Sequence, residues 1–142
     1  MATYNKFNQF VEDLAKGVHN LTNGTSAALT VALTSSTYPP AATNSILGNL
    51  TQISYTGLSS RVITYTSSAQ TSGTYKLILA DLTLTSSGSV GPFRYVVIYN
   101  DTPTSPAKPL ICWFDYGSDI TLASGESLLI DFDGTNGLFT LT

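Results

Sequence analysis

The stretch Ser89–Gly117, SVGPFRYVVIYNDTPTSPAKPLICWFDYG, decides the fold. It reads as two long β-strands joined by a proline-rich loop. In the first strand Phe93, Tyr95, Val97 and Tyr99 alternate with Val96 and Ile98. In the second, Leu110, Cys112, Phe114 and Tyr116 alternate with Ile111 and Trp113. Successive side chains point to opposite sides of a strand, so both faces of this pair are apolar. A strand wet on one side would show a polar face. The pair therefore needs two covers: the core on one side, and a second sheet, a helix or a neighbouring subunit on the other. The expectation is that part of the second cover is another protein.

Working outward, the remaining strand signals agree. AALTVALT alternates Leu29, Val31 and Leu33 with Thr30 and Ala32, a half-buried strand after the turn-like Asn23-Gly24-Thr25. Gln52–Tyr55 and Arg61–Thr66 read as short strands, Ser67–Gly73 as a turn, and Thr74–Thr85 as one long strand. Asp119–Leu122 is a short strand. Ser127–Phe132 and Gly137–Leu141 read as a closing hairpin around residues 133–137. Turn signals about every 8–12 residues and about eight strands predict an all-β protein, an antiparallel β-sandwich or jelly roll. No helices alternate with the strands, which excludes a parallel α/β fold.

One helix is predicted, over Tyr4–Leu21. Phe7, Phe10, Val11, Leu14, Val18 and Leu21 recur at helical spacing and form one stripe. Gly17 weakens its last turn by about 1 kcal/mol. Such a short helix is stable only when docked, on the chain's own sheet or on a partner. The organisation expected is residues 1–22 as an N-terminal helix or arm and 23–142 as the β-sandwich domain.

Two further segments carry weight. Ser35–Asn49 contains Pro39-Pro40 and then Ile46-Leu47, an extended loop long enough to act as an arm on a neighbour. Asp101–Pro109 has prolines at 103, 106 and 109. Proline fixes φ and lacks an amide donor, so this loop suits a preformed contact surface or a guard at the sheet's end. The residues expected to contact a partner are Phe7, Phe10 and Leu14 from the helix, Tyr38 and Ile46 from the first loop, and Pro103 and Pro106 from the second.

Composition narrows the function. Only 11% of the 142 residues are charged, against roughly 25% in a typical soluble domain. Ser and Thr make up about a quarter of the chain, so hydroxyls must cover much of the surface. Such a surface repels partners weakly and suits permanent association. Net charge is −3 and the six basic residues are scattered, so no nucleic-acid partner is expected. No run approaches the ~20 apolar residues of a membrane span, and no signal peptide is seen at the start. A soluble protein made in a cytoplasm is expected, and the Asn20, Asn23, Asn49 and Asn100 sequons then carry no sugar.

The chemistry for an enzyme is thin. His19, the one histidine, falls at the end of the predicted helix and reads as a helix-terminal or surface residue rather than a triad member. One His and Cys112, read as a small buried hydrophobe, are too few for zinc. Asp131-x-Asp133-Gly134-x-Asn136-Gly137 imitates a calcium loop but has Thr135 and Thr142 at its fifth and twelfth positions. It reads as a turn. Carboxylate pairs drawn from Asp115, Asp119, Asp131 and Asp133 have no cleft in the sequence to serve. Tyr38, Tyr55 and Tyr116 are the exposed aromatic candidates. No metal or cofactor is expected.

The segments MATYNKFNQFVEDLAKGVHNL, ALTVALT, ATNSIL, QTSGTYKL, GPFRYVVIYND and DFDGTNGLFTLT, spanning nearly the whole chain, resemble a group of small tailed-bacteriophage virion proteins. These lie among head genes and are often called decoration or cement proteins. The resemblance implies a β-rich protein that binds the outer face of the capsid, with the major capsid protein as partner and the homotrimer as its common form. The expected location is the virion's capsid surface. Two other readings stay open: a tail or fibre adhesion module binding host glycan, and a neck or tail structural subunit.

Overall fold

The structure, a computed structural model, describes residues 2–22 and 28–142. The expected turn at Asn23-Gly24-Thr25 lies outside the described residues. Among the described residues are nine strands, β1 (Thr3–Lys6), β2 (Leu29–Thr34), β3 (Tyr65–Thr71), β4 (Thr74–Leu79), β5 (Leu82–Thr85), β6 (Val90–Asn100), β7 (Leu110–Leu122), β8 (Ser127–Ile130) and β9 (Phe139–Leu141), with one α-helix, α1 (Asn8–Ala15). All pairings are antiparallel. The sheets run β1-β7-β6-β2, β3-β4-β9 and β5-β8.

The β6–β7 pair organises the fold. It forms the centre of the four-stranded sheet, with β2 and β1 on its flanks. Its alternation is broken where β7 carries an extra residue. Ile98 faces Cys112 but Tyr99 faces Leu110, leaving Ile111 as a bulge. The bulge puts Leu110 on the face of Trp113 rather than that of Cys112. A second irregularity between Phe93 and Tyr95 turns Phe93 toward the face of Val96 and Ile98.

One face packs Leu29, Val31, Leu33, Val96, Ile98 and Cys112 against Leu77 and Leu79 of β4, Leu84 of β5 and Phe10 of α1. This is the sandwich interior. The opposite face carries Ala32, Val97, Tyr99 and Leu110, joined by Phe7 and covered by Leu47 and Leu50. The second cover is thus supplied by the chain itself, through the loop that follows β2. β2 is accordingly buried along its whole length rather than on one side.

Several local expectations are corrected by the sheet. The N-terminal stripe is not one helix. Tyr4 and its neighbours extend to pair with Phe114 and complete the sheet's edge, which gains backbone hydrogen bonds that a helix there would forgo. Phe7 then turns the chain into α1. The helix ends at Ala15 because Gly17 takes φ +73°. Val18 N–H bonds the Asp13 carbonyl at 2.9 Å and Gly17 N–H the Leu14 carbonyl at 3.2 Å, a Schellman cap. Gly17 is the terminator, not a weak interior position.

Residues 67–71, expected in a turn, belong to β3, and the turn narrows to Ser72-Gly73. The long strand expected over Thr74–Thr85 divides at Ala80-Asp81, because β4 pairs with β3 and β9 whereas β5 pairs with β8. For the same reason β8 and β9 are not a hairpin: residues 133–137 carry the chain from one sheet to another. Asp119–Leu122 is the end of β7, and Gln52–Tyr55 has no strand of its own. No helix among the described residues is long and apolar enough to cross a membrane.

Phe7 is fully buried while Val11, on the same expected stripe, is 52% exposed. Urea unfolding of Phe7→Ala should show a loss of about 3–5 kcal/mol, and Val11→Ala a change within about 0.5 kcal/mol. Gly137 has φ +80°, and a Cβ there would lie 2.5 Å from the Leu77 carbonyl oxygen. Gly137→Ala should cost about 2 kcal/mol or more, whereas Gly134→Ala, with open space around its Cβ, should be nearly neutral.

Candidate binding surface

The two loops singled out from the sequence are joined. The chain folds back after Tyr38, and Ile46 bridges Pro109. Leu47 N–H bonds the Lys108 carbonyl and Leu110 N–H the Ser45 carbonyl, both at 2.9 Å. Within the first loop the Asn49 carboxamide oxygen accepts the amides of Ser45 (3.0 Å) and Ile46 (3.1 Å), bracing the single 3₁₀ turn Leu47–Asn49. In the second, Lys108 N–H closes onto the Pro103 carbonyl at 3.1 Å and its Nζ lies 2.9 Å from Asp101. Leu47 and Leu50 pin the layer to the sheet beneath.

The expected contact residues fall in two groups. Phe7 and Phe10 are interior. Phe7 lies with its ring centre 4.5 Å from that of Trp113, and Phe10 sits edge-on to His19 and Phe139, each at 5.2 Å. Leu14 is half-buried. In the folded chain Phe7 and Phe10 therefore have no surface to offer. Tyr38 is 54% exposed and Pro106 is exposed, whereas Ile46 and Pro103 are half-buried within the loop layer.

At the far end of this layer, Ser36 donates its amide (2.9 Å) and its hydroxyl to the Asp119 carboxylate. Asp119 stands in a large bulge of β7: Tyr95 pairs with Asp115, but Phe93 pairs with Ile120. Arg94 donates from Nε and Nη2 to the two Asp115 oxygens at 2.7 and 2.9 Å. These bonds hold both carboxyls below the usual range, through Arg94 for Asp115 and Ser36 for Asp119. Tyr116, 54% exposed, lies three residues from Asp119, and Tyr38 lies two from Ser36. Sequence reading named the two tyrosines but missed Ser36 and Arg94. Nothing in a linear pattern links positions 36 and 119.

The surface is quieter than its composition suggests. Lys16 pairs with Glu12, Arg94 with Asp115 and Lys108 with Asp101. Lys76 donates to the Thr135 carbonyl, and the Arg61 guanidinium donates to the Val31 carbonyl over the Tyr55 ring. Five of the six basic side chains are thus engaged by the chain's own groups.

Chemistry is sparse. Asp133 is occupied as a turn acceptor, taking the Thr135 and Asn136 amides and the Asn136 side chain, each at 2.8 Å. Among the described residues no three His, Cys, Asp or Glu side chains stand close enough to share a metal. Burial pushes the Cys112 thiol up, away from nucleophilic use. A cleft of about 430 Å³ opens between Leu14, His19, Leu21, Ser68, Tyr75 and Leu141. His19 itself is buried, not a surface residue, because the cap at Gly17 turns it inward. Comparison with protein-family models, curated proteins and solved structures found no match to this chain.

The layer's attachment is testable through Trp113, the only tryptophan. In Leu47→Ala/Leu50→Ala its emission should shift to longer wavelength as water reaches the Phe7–Trp113 contact. Because both leucines are half-buried, each should cost about 1–2 kcal/mol, with β circular dichroism retained.

Proposed function

We propose that this chain is a structural protein of a tailed-bacteriophage particle, bound to the outer face of the capsid and stabilising it as a decoration or cement protein. The single observation behind this reading is the loop layer. Two long loops are locked together on one sheet face, stiffened by proline and Asn49, and left almost free of unpaired charge. Rigid loops lose little entropy on docking, and a neutral hydroxyl-rich surface is cheap to desolvate. Neither feature serves a catalyst. The resemblance to small head-gene products supplies the particle and the partner, the major capsid protein. A ligand that binds the assembled shell but not its separated subunits stabilises the shell by mass action, about 2.7 kcal/mol per site at a hundred-fold excess over Kd. Trimeric self-association would multiply weak contacts by avidity.

A second reading, a glycan-binding adhesion module, is favoured by Tyr38 and Tyr116. Both are exposed, and both flank the Ser36–Asp119 junction, where ring stacking and carboxylate hydrogen bonds suit a sugar.

Co-sedimentation with purified shells of the same phage tests the first reading. The protein should pellet with shells and raise their disruption temperature. Tyr38→Ala/Pro106→Ala should weaken binding about tenfold without changing the protein's own Tm, while Leu129→Ser, exposed on β8, should bind as before. Binding to a glycan array with no affinity for shells would overturn this reading in favour of adhesion. A six- or twelve-fold ring by native mass measurement, without shell binding, would favour a neck or tail subunit.

A further inference from the structure

His19 is buried to 6% exposure and Asp13 to 4%, the least accessible ionisable groups of the N-terminal segment. Their surroundings define the state of the ring. The Asn100 side-chain oxygen accepts the Thr102 amide at 3.1 Å, which fixes the orientation of that carboxamide. Its Nδ2 then donates to His19 Nδ1, 3.3 Å away. A ring accepting at Nδ1 is neutral and carries its proton on Nε2. That Nε2, like Asp13 Oδ2, has no hydrogen-bond partner among the described residues. The groups facing the ring are Asp13 and Phe10 from α1, Asn100 from β6, and Tyr75 and Ser68 across the cleft. Asp13 is the only carboxyl group among them, and it favours the protonated ring. Burial outweighs it and pushes the imidazole down to about 4.

Among the described residues, two side-chain hydrogen bonds tie residues 18–22 to the β-sheets: His19 to Asn100, and the Leu21 carbonyl to the Ser68 hydroxyl. The others described in this segment are local, from Val18 to Asp13 and from Thr22 to Asn20. Protonating Nδ1 sets an N–H against the Asn100 N–H. The carboxamide cannot flip to meet it without losing Thr102. We propose that His19 and Asn100 form an acid-operated latch, which holds residues 18–22 against the sheets at neutral pH and releases them when the ring takes a proton.

The sign follows from linkage. A ring that titrates at about 4 when latched and at about 6.5 when released stabilises the closed segment fully above pH 6.5. That contribution is lost as pH falls toward 4. Release uncovers Leu21, Leu14 and Leu141 along the cleft.

Hydrogen exchange, corrected for intrinsic rates, reads this directly. Between pH 7 and pH 4.5, protection of residues 18–22 should fall by about 10- to 100-fold, while β6 and β7 amides stay protected. His19→Gln should abolish that pH step. Asn100→Asp, whose carboxylate still accepts the Thr102 amide and now accepts from the imidazolium, should abolish or reverse it. NMR titration of the His19 ring in the unaltered protein should give a value below 5. A ring titrating near 6.5, a protection loss unchanged in His19→Gln, or a loss spread equally over β6 and β7 would each overturn the latch.

Discussion

The antiparallel pairing of β6 with β7 commits apolar side chains to burial on two opposite faces of one ribbon. The rest of the chain answers that demand. On one side the interior is filled from β2, β4, β5 and α1. On the other, Phe7 and the loop after β2 close over Ala32, Val97, Tyr99 and Leu110. Both loops expected to reach a neighbour are thereby also parts of the chain's own packing. A surface that is ordered because it covers a core can still be a contact surface, and its rigidity is then inherited rather than built at the moment of docking.

The bulges decide what the two faces present. At Ile111 the extra residue moves Leu110 to the side of Trp113, which gives the second face its depth. In the wide bulge before Ile120, Asp119 is carried out to receive Ser36. Irregularities of this kind terminate or redirect pairing while leaving the ladder intact elsewhere. Here one deepens the packing and the other ties a loop to the end of the ribbon. Arg94 and Asp115 stand beside that tie as a two-bond ion pair, so the end of the ribbon is cross-linked without exposed free charge.

Charge economy runs through the whole molecule. With so few ionisable groups, most are spent on internal geometry: Asp133 on its turn, Lys76 on the carbonyl of that same turn, Arg61 on the Val31 carbonyl of β2. His19 and Asp13, like Tyr65, each keep one buried polar atom without a partner among the described residues. An unpaired buried polar atom costs on the order of 1–3 kcal/mol.

Alternation of apolar residues in Ser89–Gly117 was sufficient, by itself, to establish an all-β protein with a doubly covered central pair, because period and two-sided burial are local properties of a strand. The proline loop and the Ser35–Asn49 loop were also legible, from residues that cannot extend a sheet. What only the tertiary structure decided was non-local. Tyr4 pairs with Phe114 instead of starting a helix, and β8 and β9 part into different sheets. On the second face it is Leu47 and Leu50, from the loop after β2, that pack over the apolar cluster. His19 is drawn inside by a cap at Gly17 and a carboxamide 81 residues away. Each outcome depends on which distant segment competes best for the same backbone groups and apolar area, and that competition leaves no periodic trace along the chain.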